Sequence, residues 1–409
     1  MDYNKAIEYI YSLDRFGGNV GLSAISKVLG YLDNPQNKIK TIHIAGTNGK
    51  GSVAAMISAA LIAKGYKTGL YISPFIIEFC ERIQISGKYI EKQELAILTD
   101  KVKNACAKLN ITLGQFEFIT VIAFLYFSNE NCDYVVLETG LGGRLDPTNV
   151  IASPEICVIT SISLDHTAVL GTTYSQIATE KAGIIKHGVP TVICVQHPSS
   201  TDVIKKTCLE NSSELSVCEM PQNIILNVGE TRFTLNQKEY IVALSGGHQA
   251  ENAALAITTL KKLGIQDKHI RDGLLSVKHS ARMEIISKTP LVILDGAHNE
   301  GGAKALSEYL KAIKFKGTAI VSAMADKDAN SVAENISPYL NNIIAVAVKN
   351  NPRTLSAPQI AECFRDKVAK CCTAESYQQA LSMCTEPLLI CGSLYLASDI
   401  RPLLLQKYK

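Results

Sequence analysis

The residues Gly46-Thr47-Asn48-Gly49-Lys50-Gly51-Ser52 bring together what holding a polyphosphate requires. Three glycines let the backbone curl and turn its N–H groups inward. Lys50 supplies a cation, and a helix beginning there adds the positive end of its dipole. Thr47, Asn48, Gly49, Lys50, Gly51 and Ser52 are therefore candidate nucleotide-binding residues, and the Ser52 hydroxyl suits Mg²⁺. The spacing departs from GxxxxGK[ST]: only two residues separate Gly46 from Gly49, and Gly51 stands where Ser or Thr would follow the lysine. A plain glycine turn is the alternative, but the placement between an apolar strand and a helix favours phosphate.

Two more strand ends carry polar groups. Glu138 closes the run YVVLE, where open α/β sheets place their ligands, and can hold Mg²⁺ directly or through water. Gly140, Gly142 and Gly143 beyond it allow close approach to the backbone. His166 follows the ICVIT strand, so both side chains can converge on one cation. Hard cations prefer oxygen, and a hydrogen-bonded loop histidine is the other reading.

The elements that must position these groups are short. Thr41–Ala45, Thr68–Ile72, Asp133–Glu138, Ile156–Ser161 and Pro190–Val195 read as strands, with a helix over Ser52–Lys64. Strands separated by helices imply βαβ units and a parallel sheet. Ile224–Leu244 alternates polar and apolar residues around Asn236-Gln237 and reads as a small antiparallel insertion, followed by a helix at Gln249–Leu263. The αβ rhythm restarts near Pro290. The expected architecture is a phosphate-loop, mostly parallel sheet domain (1–287) with that antiparallel insertion, plus a second, smaller doubly wound α/β domain (288–409), with a cleft between the two.

Composition bounds the function. The chain has 409 residues, 47% hydrophobic, with 41 Lys+Arg against 38 Asp+Glu. That balance is too mild for a nucleic-acid binder. No apolar run approaches the roughly 18 residues of a membrane span, and the N-terminus lacks a signal-peptide layout. Twelve scattered cysteines without a CxxC read as reduced and mostly buried. A soluble, cytoplasmic monomer acting on small molecules is expected.

GTNGKGS resembles the phosphate loop of the Mur ligase superfamily, specifically the folylpolyglutamate synthase/dihydrofolate synthase branch of ATP-dependent amide ligases. The resemblance continues at family-like spacing over most of the chain. Ser73-Pro74-Phe75 with Glu81-Arg82-Ile83 is similar to the family's SP(H/F)…ERI segment, which implies Ser73 near Mg²⁺ and Arg82 at the folate-like substrate; a solvated surface arginine is the alternative. Glu138–Asn149 (ETGLGGRLDPTN) resembles EVGLGGRLDATN, implying that Leu145, Asp146 and Pro147 border the pterin and that Asp146 hydrogen-bonds its donor edge. The RLDxTN form is similar to members able to use dihydropteroate. A D-H…KAGI likeness strengthens His166 as a ligand and singles out Lys181, a position that can be carbamylated in relatives; an ordinary lysine pairing with Glu180 or a phosphate is the other reading.

Further matches follow. Gly247–Ala254 resembles HQxxNAxxA, whose Asn, here Asn252, reads adenine. Ser280-Ala281-Arg282-Met283-Glu284 resembles PGR[LFM]E, with the family's Pro-Gly replaced, and the Arg282 fork suits ATP phosphates. Leu294–Asn299 resembles D-x-AHN, implying that Asp295 contacts the nucleotide and His298 the transferring phosphate. Lys327 matches a later KD segment as an electrostatic helper, and Gly392-Ser-Leu-Tyr395 a C-terminal structural one. Phe16–Leu22 is a possible pterin-side wall, and Phe116 can stack on a flat heterocycle or serve the core.

The resemblance implies an ATP- and Mg²⁺-dependent ligase that joins L-glutamate to dihydropteroate, reduced folates or both, by way of an acyl phosphate. Lys50, His166, Lys181 and His298 are the candidate catalytic residues, and Ser52, Ser73, Glu138 and His166 the candidate metal ligands. A UDP-muramoyl peptide ligase is the neighbouring alternative, and a non-catalytic nucleotide-binding protein the remote one.

Overall fold

Continuous apolar runs such as YVVL are what a strand buried on both faces requires, and they form the centre of the first sheet. Its strands are β1 (Lys40–Ala45), β2 (Thr68–Tyr71), β3 (Ile83–Ile85), β4 (Lys88–Tyr89), β5 (Tyr134–Glu138), β6 (Ile156–Ile159), β7 (Thr191–Ile193) and β8 (Leu215–Val217). The order is β4-β3-β2-β5-β1-β6-β7-β8. From β2 to β8 every pairing is parallel, and β3 and β4 add an antiparallel edge. The computed structural model describes residues 1–14, 21–349 and 351–408. Residues 16–20 of the expected pterin-side wall lie outside these.

Alternate residues of a strand face opposite sides. Tyr71, Leu137, Cys157 and Ile193 belong to the face packed by the helices Lys92–Leu109, Gln115–Asn129, Tyr174–Ala182 and Pro198–Glu210. The helix Lys50–Ala63 touches β1, β2 and β5 and packs against the helix Asp267–Ser276. A β-carbon at Gly273 would lie 2.4 Å from the Ala60 backbone, so these two helices meet backbone to backbone. Gly273→Val should therefore cost about 3 kcal/mol, since neither helix can retreat without opening the core. An unchanged urea midpoint would refute that close approach.

The chain then forms β9 (Gln222–Asn227), β10 (Glu230–Leu235) and β11 (Lys238–Val242), a three-stranded antiparallel sheet in the order β11-β10-β9. Asn236 and Gln237 turn between β10 and β11 with φ of 50° and 62°, the sense that matches strand twist in a two-residue hairpin. A third sheet contains β12 (Glu284–Lys288), β13 (Leu291–Leu294), β14 (Gly317–Val321), β15 (Leu340–Val346), β16 (Lys370–Ala374) and β17 (Leu388–Cys391). Its order is β12-β13-β17-β14-β15-β16, parallel except for β12 against β13.

Two compact units result: Met1–Met220 with Glu251–Ser276, and Pro221–Ala250 with Val277–Lys409. The single boundary expected at 287/288 is thus replaced by three crossings, and the three-stranded sheet groups with the second unit rather than the first. Its attachment is physical. Leu226 packs against the second unit's core, and the Tyr309 hydroxyl donates to the Asn227 carbonyl at 3.3 Å. All twelve cysteines are free thiols. Among the described residues no helix is long and apolar enough to cross a membrane.

Candidate active site

Because β1, β2, β5 and β6 run parallel, the loops that follow them leave one edge of the sheet. Gly46 opens the loop after β1, and Gly49, at φ 86°, precedes the first residue of the helix Lys50–Ala63. Clearance around both glycines is nil. A β-carbon on Gly46 would lie 1.7 Å from Thr160 Oγ1, and one on Gly49 would lie 2.2 Å from Asn252 Oδ1. The Asn252 amide therefore lies against the second glycine of the loop.

The segment after β6 backs this loop. Thr47 N–H donates to the Ser161 carbonyl at 2.8 Å, Ser163 N–H donates to Thr47 Oγ1 at 3.1 Å, and Asn48 Nδ2 donates to Ser163 Oγ at 3.3 Å. Gln196 in turn clamps that segment, with Nε2 donating to the Thr160 carbonyl and Oε1 accepting from Ile162 N–H. Thr160, Ser161, Ser163 and Gln196 were not singled out from the sequence.

Two ammonium groups converge on one carbonyl. Lys50 Nζ donates to the Gly46 and Thr47 carbonyls, each at 3.2 Å, and Lys181 Nζ donates to the Gly46 carbonyl at 2.6 Å. Lys181 is only 3% exposed. Burial and the neighbouring Lys50 charge push its pKa down to about 7, against the pull of Asp165 and Asp146. The Glu180 carboxylate, the expected alternative partner, is taken by Arg144, whose Nη2 donates to it at 2.9 Å.

Glu138 ends β5 as a buried carboxylate, and its Oε2 accepts from Ser73 N–H at 3.0 Å. Arg82 is no surface residue. Its guanidinium lies 5.1 Å from the Phe75 ring centre and 5.7 Å from that of Phe79, with Nε unpartnered. Glu81 holds the turn between them by accepting from the N–H groups of Ile76, Ile77 and Glu78. The Phe116 ring packs against the core, with its centre 5.8 Å from that of Tyr71 and its edge 2.7 Å from where a β-carbon on Gly140 would sit.

Asp146 departs from expectation. Its Oδ2 accepts from Gly140 N–H at 2.8 Å and Leu141 N–H at 2.9 Å, while Oδ1 accepts from both Thr148 N–H and the Thr148 hydroxyl. At 3% exposure it braces the glycine loop instead of facing outward. The reason is proximity: a carboxylate six residues from Gly140 finds converging loop N–H groups before any ligand. Leu145 beside it is exposed, and Pro147 begins the turn Pro147–Val150. Since the Thr148 hydroxyl hydrogen goes to Asp146, His43 Nε2, 2.8 Å away, must be the donor to Thr148 Oγ1. Asp146→Ala should cost about 3 kcal/mol by orphaning these donors, and a chemical-denaturation midpoint equal to wild type would contradict the bracing role.

His166 adopts a left-handed conformation (φ 49°) on an exposed loop, its N–H donating to Asp165 Oδ1 at 2.8 Å. Among the described residues no three His, Cys, Asp or Glu side chains gather as a metal cluster. Of the four expected ligands, Ser73 and Glu138 are joined by the bond from the Ser73 N–H.

In the second unit, Arg282 stands between Ala281 and Met283, both at positive φ (54° and 48°). His248 and His279 face its charge, and burial together with that charge pushes them down to about 4 and about 3. Asp295, like Asp146, turns inward: its oxygens accept from Met283 N–H at 2.7 Å and Ala297 N–H at 2.8 Å. It therefore shapes this turn from beneath. His298 Nδ1 lies 2.7 Å from the Gly296 carbonyl, and His298, Ser322, Lys327 and Gly392 line one small pocket.

A glycine loop and two lysines at the carboxyl edge of a parallel sheet define a phosphate-handling α/β protein. Residues 44–260 match the Mur ligase middle domain, and residues 281–394 the Mur ligase, glutamate ligase domain. The dihydrofolate synthase/folylpolyglutamate synthase of Bacillus subtilis is 35% identical, covering 98% of each chain. Mycobacterium tuberculosis folylpolyglutamate synthase complexed with ADP and AMPPCP superposes with a TM-score of 0.86 at 29% identity, covering 98% of this chain and 99% of that one. A folylpolyglutamate synthase complex with AMPPCP and folate gives 0.84 at 34%, covering 99% and 100%. The chain belongs to the Mur ligase family, in its folylpolyglutamate synthase/dihydrofolate synthase branch.

Proposed function

We propose that this protein is a cytoplasmic, monomeric ligase that uses ATP to join L-glutamate to dihydropteroate and to reduced folates. The convergence of Lys50 and Lys181 on the Gly46 carbonyl carries the reading. Two cations held at one point of a glycine loop suit the oxygens of a transferring phosphoryl group. The acceptor's carboxylate attacks the γ-phosphate, giving an acyl phosphate and ADP. The amine of glutamate then attacks the acyl carbon, and phosphate leaves.

Lys50 and the loop N–H groups stabilise charge on the phosphoryl oxygens by position, with no covalent protein intermediate. Asn252 takes the adenine side, Arg282 contacts the nucleotide's phosphates, and His298 serves the transferring phosphate. Arg82, Phe116, Leu145 and Pro147 form the acceptor side. Ser52, Ser73 and Glu138 offer the oxygen donors a hard cation prefers, so they fit Mg²⁺, with His166 the fourth group of the set. When bound there, Mg²⁺ supplies charge neutralisation for the phosphates.

The test is ADP release with ATP, Mg²⁺ and L-glutamate, comparing dihydropteroate with tetrahydrofolate. Release with both is the expected result. Release with one alone narrows the acceptor, and silence with both from folded, ATP-binding protein overturns the proposal.

A further inference from the structure

The Arg282 turn is strained in a way this chain's own residues must offset. Ala281 and Met283 both occupy the left-handed region without being glycine, a conformation that persists only where neighbours over-determine it. Three backbone contacts do so. Ala281 N–H donates to Glu284 Oε2 at 3.0 Å, Gly296 N–H donates to the Ala281 carbonyl at 2.9 Å, and Met283 N–H donates to Asp295 Oδ2 at 2.7 Å.

Glu284 is itself held from far along the chain. Arg401, on the final helix Leu394–Lys407, donates from Nε to Oε1 and Oε2 at 3.0 and 2.9 Å, and from Nη2 to Oε1 at 2.6 Å. Both side chains are under one-fifth exposed, so water competes little for the pair. A β-carbon at Gly296 would lie 2.2 Å from Leu394 Cδ2, so the same helix also backs the partner of the Ala281 carbonyl. The guanidinium fork fixes the carboxylate's orientation as well as its distance, which a lysine ammonium does not.

We propose that Arg401 is a positioning residue: through Glu284 it locks the Ala281–Met283 turn and so sets the direction of the Arg282 side chain toward nucleotide phosphate. This rests on the reading of Arg282 as a phosphate contact. Arg401 touches no substrate; it acts through the turn.

The experiment measures KM for ATP, kcat and Tm in wild type, Arg282→Ala, Arg401→Met, Arg401→Lys, Glu284→Gln and the double variant Arg282→Ala/Arg401→Met. Arg401→Met and Arg401→Lys should each raise KM for ATP about tenfold. The double variant should be no worse than Arg282→Ala alone, because the clamp then has nothing to aim. A merely structural ion pair would lower Tm and multiply with the Arg282→Ala defect, which overturns the proposal. So does a KM within about twofold of wild type in Arg401→Met. Should that variant fail to fold, Glu284→Gln, which keeps volume and an acceptor for Ala281 N–H, answers the same question. A wild-type KM in Arg282→Ala instead sinks the phosphate-contact reading itself, and the two failures are told apart by that single variant.

Discussion

Glu138→Ala is expected to lower Mg²⁺-dependent ADP release by about 10²–10³-fold while the fold survives. The carboxylate is buried at the end of β5, on the edge where the loops after β1, β2 and β6 also emerge, and it holds Ser73 N–H. Removing it deletes the only carboxylate among the four proposed metal ligands and frees the Ser73 segment together. The Ser73 bond, made to a charged acceptor, is worth about 1.5–3 kcal/mol to the fold, which the folded state can lose and survive. The check pairs steady-state turnover across a Mg²⁺ titration with circular dichroism. Near-normal turnover at low Mg²⁺ would remove Glu138 from the site.

Lys181→Met should separate stability from activity in opposite directions. The folded protein holds the Lys181 ammonium at about 7, against an ordinary value of 10.5. Below pH 7 both folded and unfolded chains carry the proton, and the folded state bears the full burial penalty. Between about pH 7 and 10.5 the unfolded chain keeps a proton that the folded one has lost, so stability rises with pH across that window. The methionine variant lacks this term and should exceed wild type in stability at about pH 6.5, by an amount on the order of 5 kcal/mol at most. The gap should narrow toward about pH 9.5. Turnover should fall by about 10²-fold or more, since one of the two nitrogen donors at Gly46 is gone. Urea unfolding at both pH values, with ADP release at each, reads the two effects. A variant that is active, or no more stable at the lower pH, contradicts the assignment.

Much of this was legible from residue types alone. β1, β5, β13 and β17 each end at a glycine or a carboxylate, and short β-branched runs leave little choice but a parallel sheet with its loops at one edge. The two aspartates were not. Asp146 and Asp295 each sit beside loop glycines, and such a carboxylate reads equally as a ligand contact or as an acceptor for the loop's own N–H groups. Backbone closure decides between them, within six residues for Asp146 and across twelve for Asp295, and residue types do not show how the loop closes. The Arg144–Glu180 pair and the Gln196 clamp were hidden for the same reason, joining residues 36 apart in one case and strand-end loops in the other. The edge strand β16 (KCCTA) is mostly exposed and carries no alternation to betray it. In Gln115–Asn129 the reverse holds: QFEFITVIAFLYF is apolar nearly all round, so periodicity cannot tell a buried helix from a strand.

The chain passes three times between its compact units, at Met220/Pro221, Ala250/Glu251 and Ser276/Val277. On the ribosome this sets an order of events. The strands Gln222–Val242 emerge before any of Val277–Lys409 exists to cover them, with Ile224 and Ile225 turned outward on the edge strand. The helix that supplies Gly273 to Ala60 arrives only after that orphan sheet has been made. The first unit can close only once Ser276 has been made, with residues 221–250 already synthesised ahead of the rest of their own unit. Its nascent form must carry that sheet uncovered until Val277–Lys409 follows, an interval in which exposed apolar surface and strand edges invite chaperone binding.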